Sequence, residues 1–380
     1  MRILHTSDWH LGRQFFQLSL DEDHDVILGQ IDAAILEHEP DLLIIAGDIF
    51  DRAGPPQSAL ARLRDFLVRV TANPGLAVVI IAGNHDAAAQ IGMLGVLAPL
   101  DKALIRGPLD AGDLPMVIED EYGPVAISAL PFSYEFAARA CFENDDISCP
   151  ADVIAAQVEA ARAHVPSGAR WIVVAHSFVE GATSTESERS LSRTVGGIET
   201  VSSDVFCGAH YVALGHLHRA QQVGAAHIRY SGAPLAFGFD EEGQEKSLTL
   251  VDLKEDGSVE ATSIPLTPRR LVRTLRGKLD ELTSASEGSG DFIRVVLTDE
   301  TPQIEPMKRI RILYPNAVQL TYEHNERDIE QKLTESRKAI DDPATLVADF
   351  IEFVSGEPPS DVDTQLVATL IHAADQEIEA

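Results

Sequence analysis

The sequence has little of what marks several classes of protein. Its 380 residues include three cysteines. Cys141, Cys149 and Cys207 form no close-spaced pair, so neither a disulfide framework nor a thiolate metal site is predicted. Long apolar runs are missing too, since the run over residues 76–82 is too short to cross a bilayer and the N-terminus has no signal-like apolar segment. We therefore expect a cytoplasmic protein with no membrane segment.

Positive charge is also scarce. Thirty lysines and arginines face sixty aspartates and glutamates, which gives a formal net charge of -30. DNA carries the same sign, so the overall field of the chain would not attract it. The acidity reflects either solubility alone or a protein that contacts nucleic acid through bound cations, local basic patches or a partner. Charge by itself therefore argues against a nucleic-acid role.

The first 265 residues alternate short apolar runs with longer amphipathic stretches, which is typical of strands and helices in turn. Helices are predicted over 26–37 and 58–70. The early strands are predicted at 3–7, 42–46, 77–82, 125–130, 171–175 and 211–214. A later pair, 227–231 and 247–253, is interpreted as a hairpin or meander. Apolar runs with helices between them predict an α/β fold with a layered sheet covered by helices.

Two further segments follow a boundary near Pro265 and Pro268. The pattern of strand-like and helix-like stretches over residues 268–330 predicts a small α+β unit. Residues 342–378 predict a helical hairpin, because Asp342 and Ser360 can each cap a helix with an apolar stripe. This hairpin either packs on its own domain or docks a partner.

Five of the apolar runs end in residues that bind metals. The side chains concerned are Asp8 and His10, Asp48, Asn84 with its neighbour His85, His176, and finally His216 with His218. Open α/β sheets place their sites beyond the carboxyl ends of the strands, so these groups can converge on one edge. Each motif alone has an ordinary explanation, such as a turn for Gly-Asp, and the ordered set of five carries the interpretation.

Imidazoles and carboxylates together favour manganese, iron or zinc over calcium or magnesium. Two ions about 3.5–4 Å apart need a bridging carboxylate, and Asp48 is the candidate. The first ion would then be held by Asp8, His10 and His218, and the second by Asn84, His176 and His216. Such a pair of cations is suited to hydrolysis of a phosphoester by in-line attack of an activated water.

The order Asp-x-His, Gly-Asp, Gly-Asn-His-Asp, His and Gly-His-x-His resembles the calcineurin-like metallophosphoesterase superfamily. The resemblance implies a β-sandwich flanked by helices and assigns a catalytic role to the His of Asn-His-Asp, which is His85 here. That residue would stabilise developing charge or protonate the leaving oxygen, with Asp51 or another carboxylate orienting it.

Longer stretches resemble the SbcD-like nucleases of bacterial SbcCD complexes. They include "MRILHTSDWHLGR" (1–13), "DLLIIAGDIFDR" (41–52), "ALGHLHRAQ" (213–221), "IRYSGAPLAFGFDE" (228–241) and "KSLTLVDL" (246–253). The resemblance implies manganese-dependent cleavage of DNA in repair and recombination, exonucleolytic at duplex ends and endonucleolytic at hairpins and single strands. It also implies a capping domain, a homodimer and an SbcC-like ATPase partner of the SMC type.

Several residues are candidates for these implied parts. Residues 1–265 would be the nuclease domain, 268–330 the capping domain and 342–378 the partner-docking hairpin. An apolar helix near 93–100 is a candidate dimer interface. Candidate DNA contacts are Arg269, Arg270, Arg273, Lys308 and Arg309, which would otherwise form a solvated face balanced by acids. Archaeal and eukaryotic relatives have His where this chain has Asp51, so a second catalytic histidine is not assigned.

Two alternatives remain open at this point. One is a metallophosphoesterase that acts on nucleotides or phosphoproteins, which the acidity favours and the residues beyond 265 oppose. The other is a binding scaffold without turnover, which the complete set of ligand candidates opposes.

Overall fold

The structure is a computed structural model, and it describes residues 1–96, 98–99, 101–188, 200–284 and 287–324, with residues 351, 360, 363–364 and 366–367. The strands are β1 (Arg2–Thr6), β2 (Gln14–Phe15), β3 (Leu18–Ser19), β4 (Leu42–Ile45), β5 (Ala77–Ile81), β6 (Ala103–Arg106), β7 (Met116–Asp120), β8 (Gly123–Leu130), β9 (Arg170–His176), β10 (Tyr211–Gly215), β11 (Gln221–Val223), β12 (Ala225–Tyr230), β13 (Ser247–Leu253), β14 (Val259–Pro265), β15 (Val272–Gly277), β16 (Phe292–Leu297) and β17 (Ala317–Tyr322). The helices are α1 (Asp21–His38), α2 (Gln57–Thr71), α3 (Ala88–Met93), α4 (Glu135–Phe142), α5 (Pro150–Arg162), α6 (Leu279–Leu282) and α7 (Pro306–Ile310).

Two six-stranded sheets make up most of the molecule. The first has the order β14-β13-β1-β4-β5-β6, and the second has the order β11-β12-β10-β9-β8-β7. Strands β1, β4, β5 and β6 run parallel in the first sheet, as do β8, β9, β10 and β12 in the second. The strands that run antiparallel to their neighbours lie towards the edges. Parallel strands of both sheets therefore present their carboxyl ends to an edge of the sandwich.

The core between the sheets explains why the strands are apolar along their whole length. Ile3, Ile44 and Val79 of the first sheet share a buried cluster with Ile127 and Ile172 of the second. Alternate residues point to the other face of each sheet and are buried there as well, because helices cover both outer surfaces. Burial on both faces is the reason that these strands read as continuous apolar runs, and the predicted α/β fold with covering helices is confirmed.

Helices cover the outer faces of both sheets. Helices α1 and α2 pack together, with Ile31 and Phe66 fully buried. The ring of Phe66 contacts the ring of Trp9 edge to face at 5.0 Å, within the candidate metal-binding motif Asp8-Trp9-His10. Helix α5 covers β8 and contributes Ile154 and Val158 to a second buried cluster. None of the described helices is long and apolar enough to span a bilayer.

The hairpin predicted from residues 227–231 and 247–253 is wrong. Strand β12 pairs in parallel with β10 in the second sheet, whereas β13 pairs antiparallel with β1 and β14 in the first. The chain crosses from one sheet to the other between them. Both segments carry the apolar pattern of strands, but that pattern holds no information about the pairing partner.

The chain divides into two compact units, one of Met1–Thr274 with Gly290–Ile293 and the other of Leu275–Ser289 with Arg294–Ala380. The last three strands form a sheet of order β15-β16-β17. In the second unit, Leu279 of α6, Ile310 of α7 and Val296 are buried. The predicted domain limits at 265, 268 and 330 stay a prediction.

The helical hairpin predicted over 342–378 lies almost entirely outside the described residues. Within it, Ser360 and Asp363 form reciprocal hydrogen bonds: the Ser360 backbone N–H donates to the Asp363 carboxylate at 3.0 Å, and the Asp363 N–H donates to Ser360 Oγ at 3.3 Å. This is the capping arrangement expected at the start of a helix.

Candidate metal centre

The five motifs predicted from the sequence to bind metal meet at one edge of the sandwich. The first sheet contributes Asp8 and His10 after β1, Asp48 after β4 and Asn84 after β5. The second sheet contributes His176 at the end of β9 and His216 and His218 after β10. Apart from Asn84, which is half-buried, all of these side chains are buried.

Three of these side chains form the first group. Ligand atoms of Asp8, His10 and His218 all lie within 4.8 Å of one another. The two Nε2 atoms of His10 and His218 are 3.2 Å apart. Asp8 is held in place by the Ser7 hydroxyl, which donates to it at 2.5 Å, and by the His216 N–H, which donates to its Oδ1 at 3.0 Å. The backbone of one sheet thus orients a ligand of the other.

A second group is formed by Asp48, His176 and His216, whose ligand atoms lie within 4.8 Å of one another. Oδ1 of Asn84 lies 3.0 Å from His176 Nε2 and 3.2 Å from His216 Nδ1. His176 Nδ1 donates to the carbonyl of Ala46 at 2.9 Å, which leaves Nε2 as its ligand atom. All four side chains predicted for the second ion are therefore adjacent.

Asp48 lies between the two groups. Its Oδ2 is 3.8 Å from His10 Nε2 in the first group and 3.5 Å from His176 Nε2 in the second. Its Oδ1 accepts a hydrogen bond from the His85 N–H at 2.8 Å, which fixes the carboxylate. This is the position that a bridging ligand would need.

Glycines permit the close approach of the loops that carry the ligands. A Cβ on Gly83 would lie 2.2 Å from Asp48 Oδ1, and one on Gly215 would lie 1.9 Å from the carbonyl oxygen of Ala46. Asp48 and His216 themselves have φ of 50° and 104°, a backbone region that non-glycine residues rarely adopt. Strained backbone of this kind persists where the surrounding structure holds a functional side chain in place.

Burial and neighbouring charges set the protonation of the ligands. Burial lowers the pKa of His10 and of His218, and it lowers the pKa of His216 to about 3, so their nitrogens keep lone pairs for a cation. Burial raises the pKa of Asp48, but the charge of His176 outweighs it and lowers that pKa overall. Burial lowers the pKa of His176, but the charge of Asp48 outweighs it and raises that pKa to about 9. The centre thus combines three neutral imidazoles with a close pair of the His176 imidazolium and the Asp48 carboxylate.

This donor set fits a pair of divalent cations. Two atoms that each lie about 2.1 Å from one ion are about 3.0–3.4 Å apart. The spacings of 3.0–3.2 Å between His10 and His218, Asn84 and His176, and Asn84 and His216 match this distance. Nδ1 of the buried His10 has no hydrogen-bond partner among the described residues. It lies 3.9 Å from Asp51 Oδ1, and His10, Asp51 and His85 form a third group with metal-binding spacing. Imidazole and carboxylate ligands suit manganese, iron or zinc.

His85 lies at the border of the centre. Its ring is 4.7 Å from the ring of His10, and it is only half-buried, unlike the histidines of the two main groups. Its Nδ1 donates to the backbone carbonyl of Asp51 at 2.7 Å, so Nε2 is the nitrogen left to act on a substrate. The orienting group is therefore the Asp51 carbonyl, whereas the Asp51 carboxylate faces Arg13 at 3.5 Å.

Glu241 orients His218, and the sequence did not reveal this role. His218 Nδ1 donates to Ser187 Oγ at 2.7 Å, and the Ser187 hydroxyl donates to Glu241 at 2.6 Å. Glu241 is buried and forms a close ion pair with Lys246. Burial raises the pKa of Glu241, but the nearby His218 imidazole and the charge of Lys246 lower it to about 2. These hydrogen bonds occupy Nδ1 of His218 and thereby leave Nε2 as its ligand atom.

Asp86, the last residue of the Gly-Asn-His-Asp motif, ties two ligand loops together. Its carboxylate accepts hydrogen bonds from the backbone N–H groups of Ile49 at 3.1 Å, Phe50 at 2.9 Å and Gly83 at 2.9 Å. Burial, with the charge of Asp48, raises its pKa to about 7. The motif offered a signal for this residue, but two of its three partners, Ile49 and Phe50, come from a distant loop.

The five basic residues proposed from sequence to contact DNA all form ion pairs. Their partners are Glu22 for Arg269, Asp23 for Arg270, Asp291 for Arg273, Glu305 for Lys308 and Asp280 for Arg309. Four of these pairs are exposed, and exposed pairs contribute only about 0–1 kcal/mol. The Arg270 pair differs, since Asp23 is 1% exposed and the guanidinium also covers the Phe292 ring at 4.3 Å.

Comparisons with known proteins bear on both parts of the chain. A family model described as calcineurin-like phosphoesterase matches residues 1–220, and one described as type 5 capsule protein repressor C-terminal domain matches residues 268–355. The SbcD subunit of the nuclease SbcCD from Staphylococcus epidermidis is 26% identical over 377 residues, which cover 98% of each chain. The resemblance to SbcD-like nucleases inferred from the motifs is thereby confirmed.

Two solved structures are more distant. TT1561 of Thermus thermophilus is 13% identical, with a TM-score of 0.37, over 69% of this chain and 98% of that one. GAP50, the anchor in the inner membrane complex of Plasmodium, is 11% identical, with a TM-score of 0.38, over 84% of this chain and 96% of that one. At these scores neither structure adds to the argument.

Proposed function

The chain belongs to the calcineurin-like phosphoesterase family, and from this premise we propose that it is a manganese-dependent DNA nuclease that acts with an SbcC-like ATPase. The observation that carries the proposal is the position of Asp48 between two groups of buried ligands, with His85 beside them. A metal-dependent phosphoesterase needs this combination of paired cation sites and a general acid.

The ligands divide into two sets in this proposal. Asp8, His10 and His218 hold one ion, Asn84, His176 and His216 hold the other, and Asp48 is shared. When bound, the two cations supply Lewis-acid polarisation of the phosphoryl oxygens and an activated water nucleophile at neutral pH. Manganese is the metal we favour because imidazole, amide and carboxylate donors occur together.

The protein's own part in the reaction falls to His85. With Nδ1 held by the Asp51 carbonyl, its Nε2 can donate a proton or a hydrogen bond to the oxygen that leaves phosphorus. Because His85 is half-buried, a substrate can reach it, whereas the buried ligands stay shielded from bulk water. Its backbone N–H holds Asp48, so the acid and the bridging carboxylate keep a fixed relation.

DNA is the substrate class that the similarity over both chain lengths supports, since that relative is named as a nuclease subunit. Cleavage at duplex ends, hairpins and single strands is part of the proposal. The exposed ion pairs of Arg269, Arg273, Lys308 and Arg309 can exchange a carboxylate for a DNA phosphate at little cost. Arg270 is the least suited of the five, because its partner is buried.

The assembly and location are also proposals. An SbcC-like ATPase would dock on the hairpin over 342–378. A homodimer is supported by Met93, Leu94 and Val96, which are large apolar side chains exposed at the C-terminal end of α3 and just beyond it. The helix predicted near 93–100 is wrong, because α3 ends at Met93 and the described residues that follow are not helical. All three cysteines are free thiols, as expected in the reducing cytoplasm.

A cleavage assay tests the function. Purified protein with Mn²⁺ is incubated with end-labelled duplex, hairpin and single-stranded DNA, and with bis-p-nitrophenyl phosphate as a small diester. We expect DNA degradation that is lost in Asp48→Ala and kept in the control Asp65→Ala, whose carboxylate only pairs with exposed Arg64. Cleavage of the small diester alone, even with the SbcC-like ATPase and ATP present, would contradict the DNA proposal and favour a phosphoesterase of nucleotides or phosphoproteins.

A further inference from the structure

A cleft opens directly beside the second ligand group. Its volume is about 320 Å³, which is within the range of small-molecule sites. Its lining includes Gly83 and Asn84 of the metal centre together with Phe132, Tyr134 and Ala137. Because Asn84 belongs to both, any substrate bound at the metal centre has the cleft as its immediate neighbour.

Phe132 and Tyr134 line this cleft, and Phe136, just outside the lining, extends them into a series of rings that leads away from the metal centre. The Phe132 ring lies 6.4 Å from the ring of His176, and the Tyr134 ring lies 5.1 Å from that of Phe132. Phe136 then stacks on Tyr134 at 5.8 Å with an angle of 12° between the planes. The inner end is fixed, since the Phe132 N–H donates to the carbonyl of Ala82 at 2.9 Å.

Exposure increases along the same series. Phe132 is half-buried, Tyr134 is 36% exposed and Phe136 is 61% exposed. Large aromatic side chains at the surface beside a catalytic centre are unusual for a soluble chain, because each leaves apolar area in water. A flat ligand that covers those rings would remove that cost.

The charge around the cleft suits a ligand held by stacking. Asp86 lines the cleft, but its carboxylate already accepts three backbone hydrogen bonds. Stacking needs no opposite charge, so the net charge of -30 does not weaken it. A nucleobase has an apolar π-face and is covalently attached to a phosphate, so a phosphate at the metal centre brings its own base to the cleft.

We propose that this cleft is a subsite for an unpaired base next to the scissile phosphate, with Tyr134 and Phe136 as specificity-determining residues. The inference rests on the proposed nuclease function and adds to it the side chains that select the substrate. A base within a duplex is covered on both faces by its neighbours, so only single strands, loops and frayed ends can occupy the cleft.

Oligonucleotides with and without the base provide the test. Single-stranded substrates of one sequence carry either a normal nucleotide or an abasic one beside the cleavage site, and kcat/KM is measured with Mn²⁺ for both. Wild type should cleave the normal substrate about 10-fold faster. In Phe136→Ala and Tyr134→Ala this ratio should fall towards one. The control Tyr122→Ala removes an exposed aromatic residue at the β7–β8 turn and should keep the wild-type ratio.

A spectroscopic signal separates stacking from a structural role. In the inactive His85→Ala background, a 2-aminopurine at the same position should lose fluorescence on binding and recover it when Phe136→Ala is added. An equal ratio of normal to abasic cleavage in wild type and both variants would overturn the proposal. Loss of binding of the SbcC-like ATPase in Phe136→Ala, with an unchanged ratio of normal to abasic cleavage, would also overturn the proposal. Absence of any DNA cleavage by wild type would instead contradict the proposed function itself.

Discussion

Glu241 lies 3.6 Å from Nδ1 of His218, and the Ser187 hydroxyl bridges the two. Glu241 and Lys246 are almost completely buried as a pair, and Lys246 also donates to the His218 carbonyl at 3.2 Å. The side chain and the backbone of His218, a proposed metal ligand, are therefore held by a single buried ion pair. Groups of this kind set the orientation and basicity of the ligand they contact.

Substitution of Glu241 should weaken metal binding. We expect Glu241→Gln to lower Mn²⁺ affinity about 10- to 100-fold, because His218 loses its charged partner. Titration calorimetry measures this, and kcat at saturating Mn²⁺ should change less than the affinity. The control Glu245→Gln changes an exposed carboxylate nearby and should behave as wild type. Unchanged affinity in Glu241→Gln would show that the ion pair serves stability alone.

The same ion pair predicts a difference between single and double variants in stability. Glu241→Ala leaves Lys246 buried without a partner and should lower the free energy of unfolding by about 3–5 kcal/mol. Glu241→Gln with Lys246→Met replaces both charges and should recover much of that loss. Urea unfolding of wild type, Glu241→Ala and the double variant measures these free energies. An equal loss in the single and the double variant would contradict an unpaired charge as the cause.

His85→Ala should separate catalysis from metal binding. The variant loses the proposed acid, so kcat should fall by about 10²- to 10⁴-fold while Mn²⁺ affinity stays within about twofold of wild type. His164→Ala, which removes an exposed histidine, is the matched control. A large loss of Mn²⁺ affinity would mean that His85 acts as a ligand in the third group, with His10 and Asp51.

The buried carboxylates predict that metal stabilises the fold. At Mn²⁺ concentrations of about 1,000 times Kd, the free energy of unfolding should rise by about 4 kcal/mol, and a chelator should reverse the gain. Asp48→Asn removes the shared negative charge and should abolish most of this response. Urea unfolding with and without Mn²⁺ measures it. A wild-type unfolding transition that does not change when Mn²⁺ is added would contradict the assigned centre.

Arg269 and Arg270 should differ although they are adjacent. Arg270→Ala leaves Asp23 buried and unpaired, so we expect a loss of about 3–5 kcal/mol in the free energy of unfolding. Arg269→Ala breaks an exposed pair and should cost less than about 1 kcal/mol. If Arg269 contacts a phosphate, its loss should also reduce the salt dependence of DNA binding by a slope of about 0.9. Equal stability losses would refute this distinction.

Much of the centre follows from local sequence because each ligand comes directly after a strand. His176 ends β9, and Asp48 and Asn84 follow β4 and β5 after short glycine turns. The carboxyl ends of parallel strands share an edge, so a pattern read along the chain becomes a cluster in space. A layered sheet covered by helices could be expected because apolar runs between helices indicate strands buried on both faces, whereas the sandwich of two sheets was implied only by the family resemblance.

The remaining features depend on contacts between distant segments, which local patterns do not contain. The strands β12 and β13 were recognisable, but not the fact that they belong to different sheets. The carboxylate of Asp51 was a plausible partner for His85, yet the loop geometry presents its backbone carbonyl instead. Glu241 stood in a recognised stretch, but only the fold brings it next to His218.

The most direct measurement is the anomalous scattering of crystals soaked in Mn²⁺. The account predicts two peaks about 3.5–4 Å apart, with Asp48 in contact with both. The first ion should contact Asp8, His10 and His218, and the second Asn84, His176 and His216. A single peak, or an ion held by His10, Asp51 and His85 in place of one of these, would contradict the assigned two-cation centre.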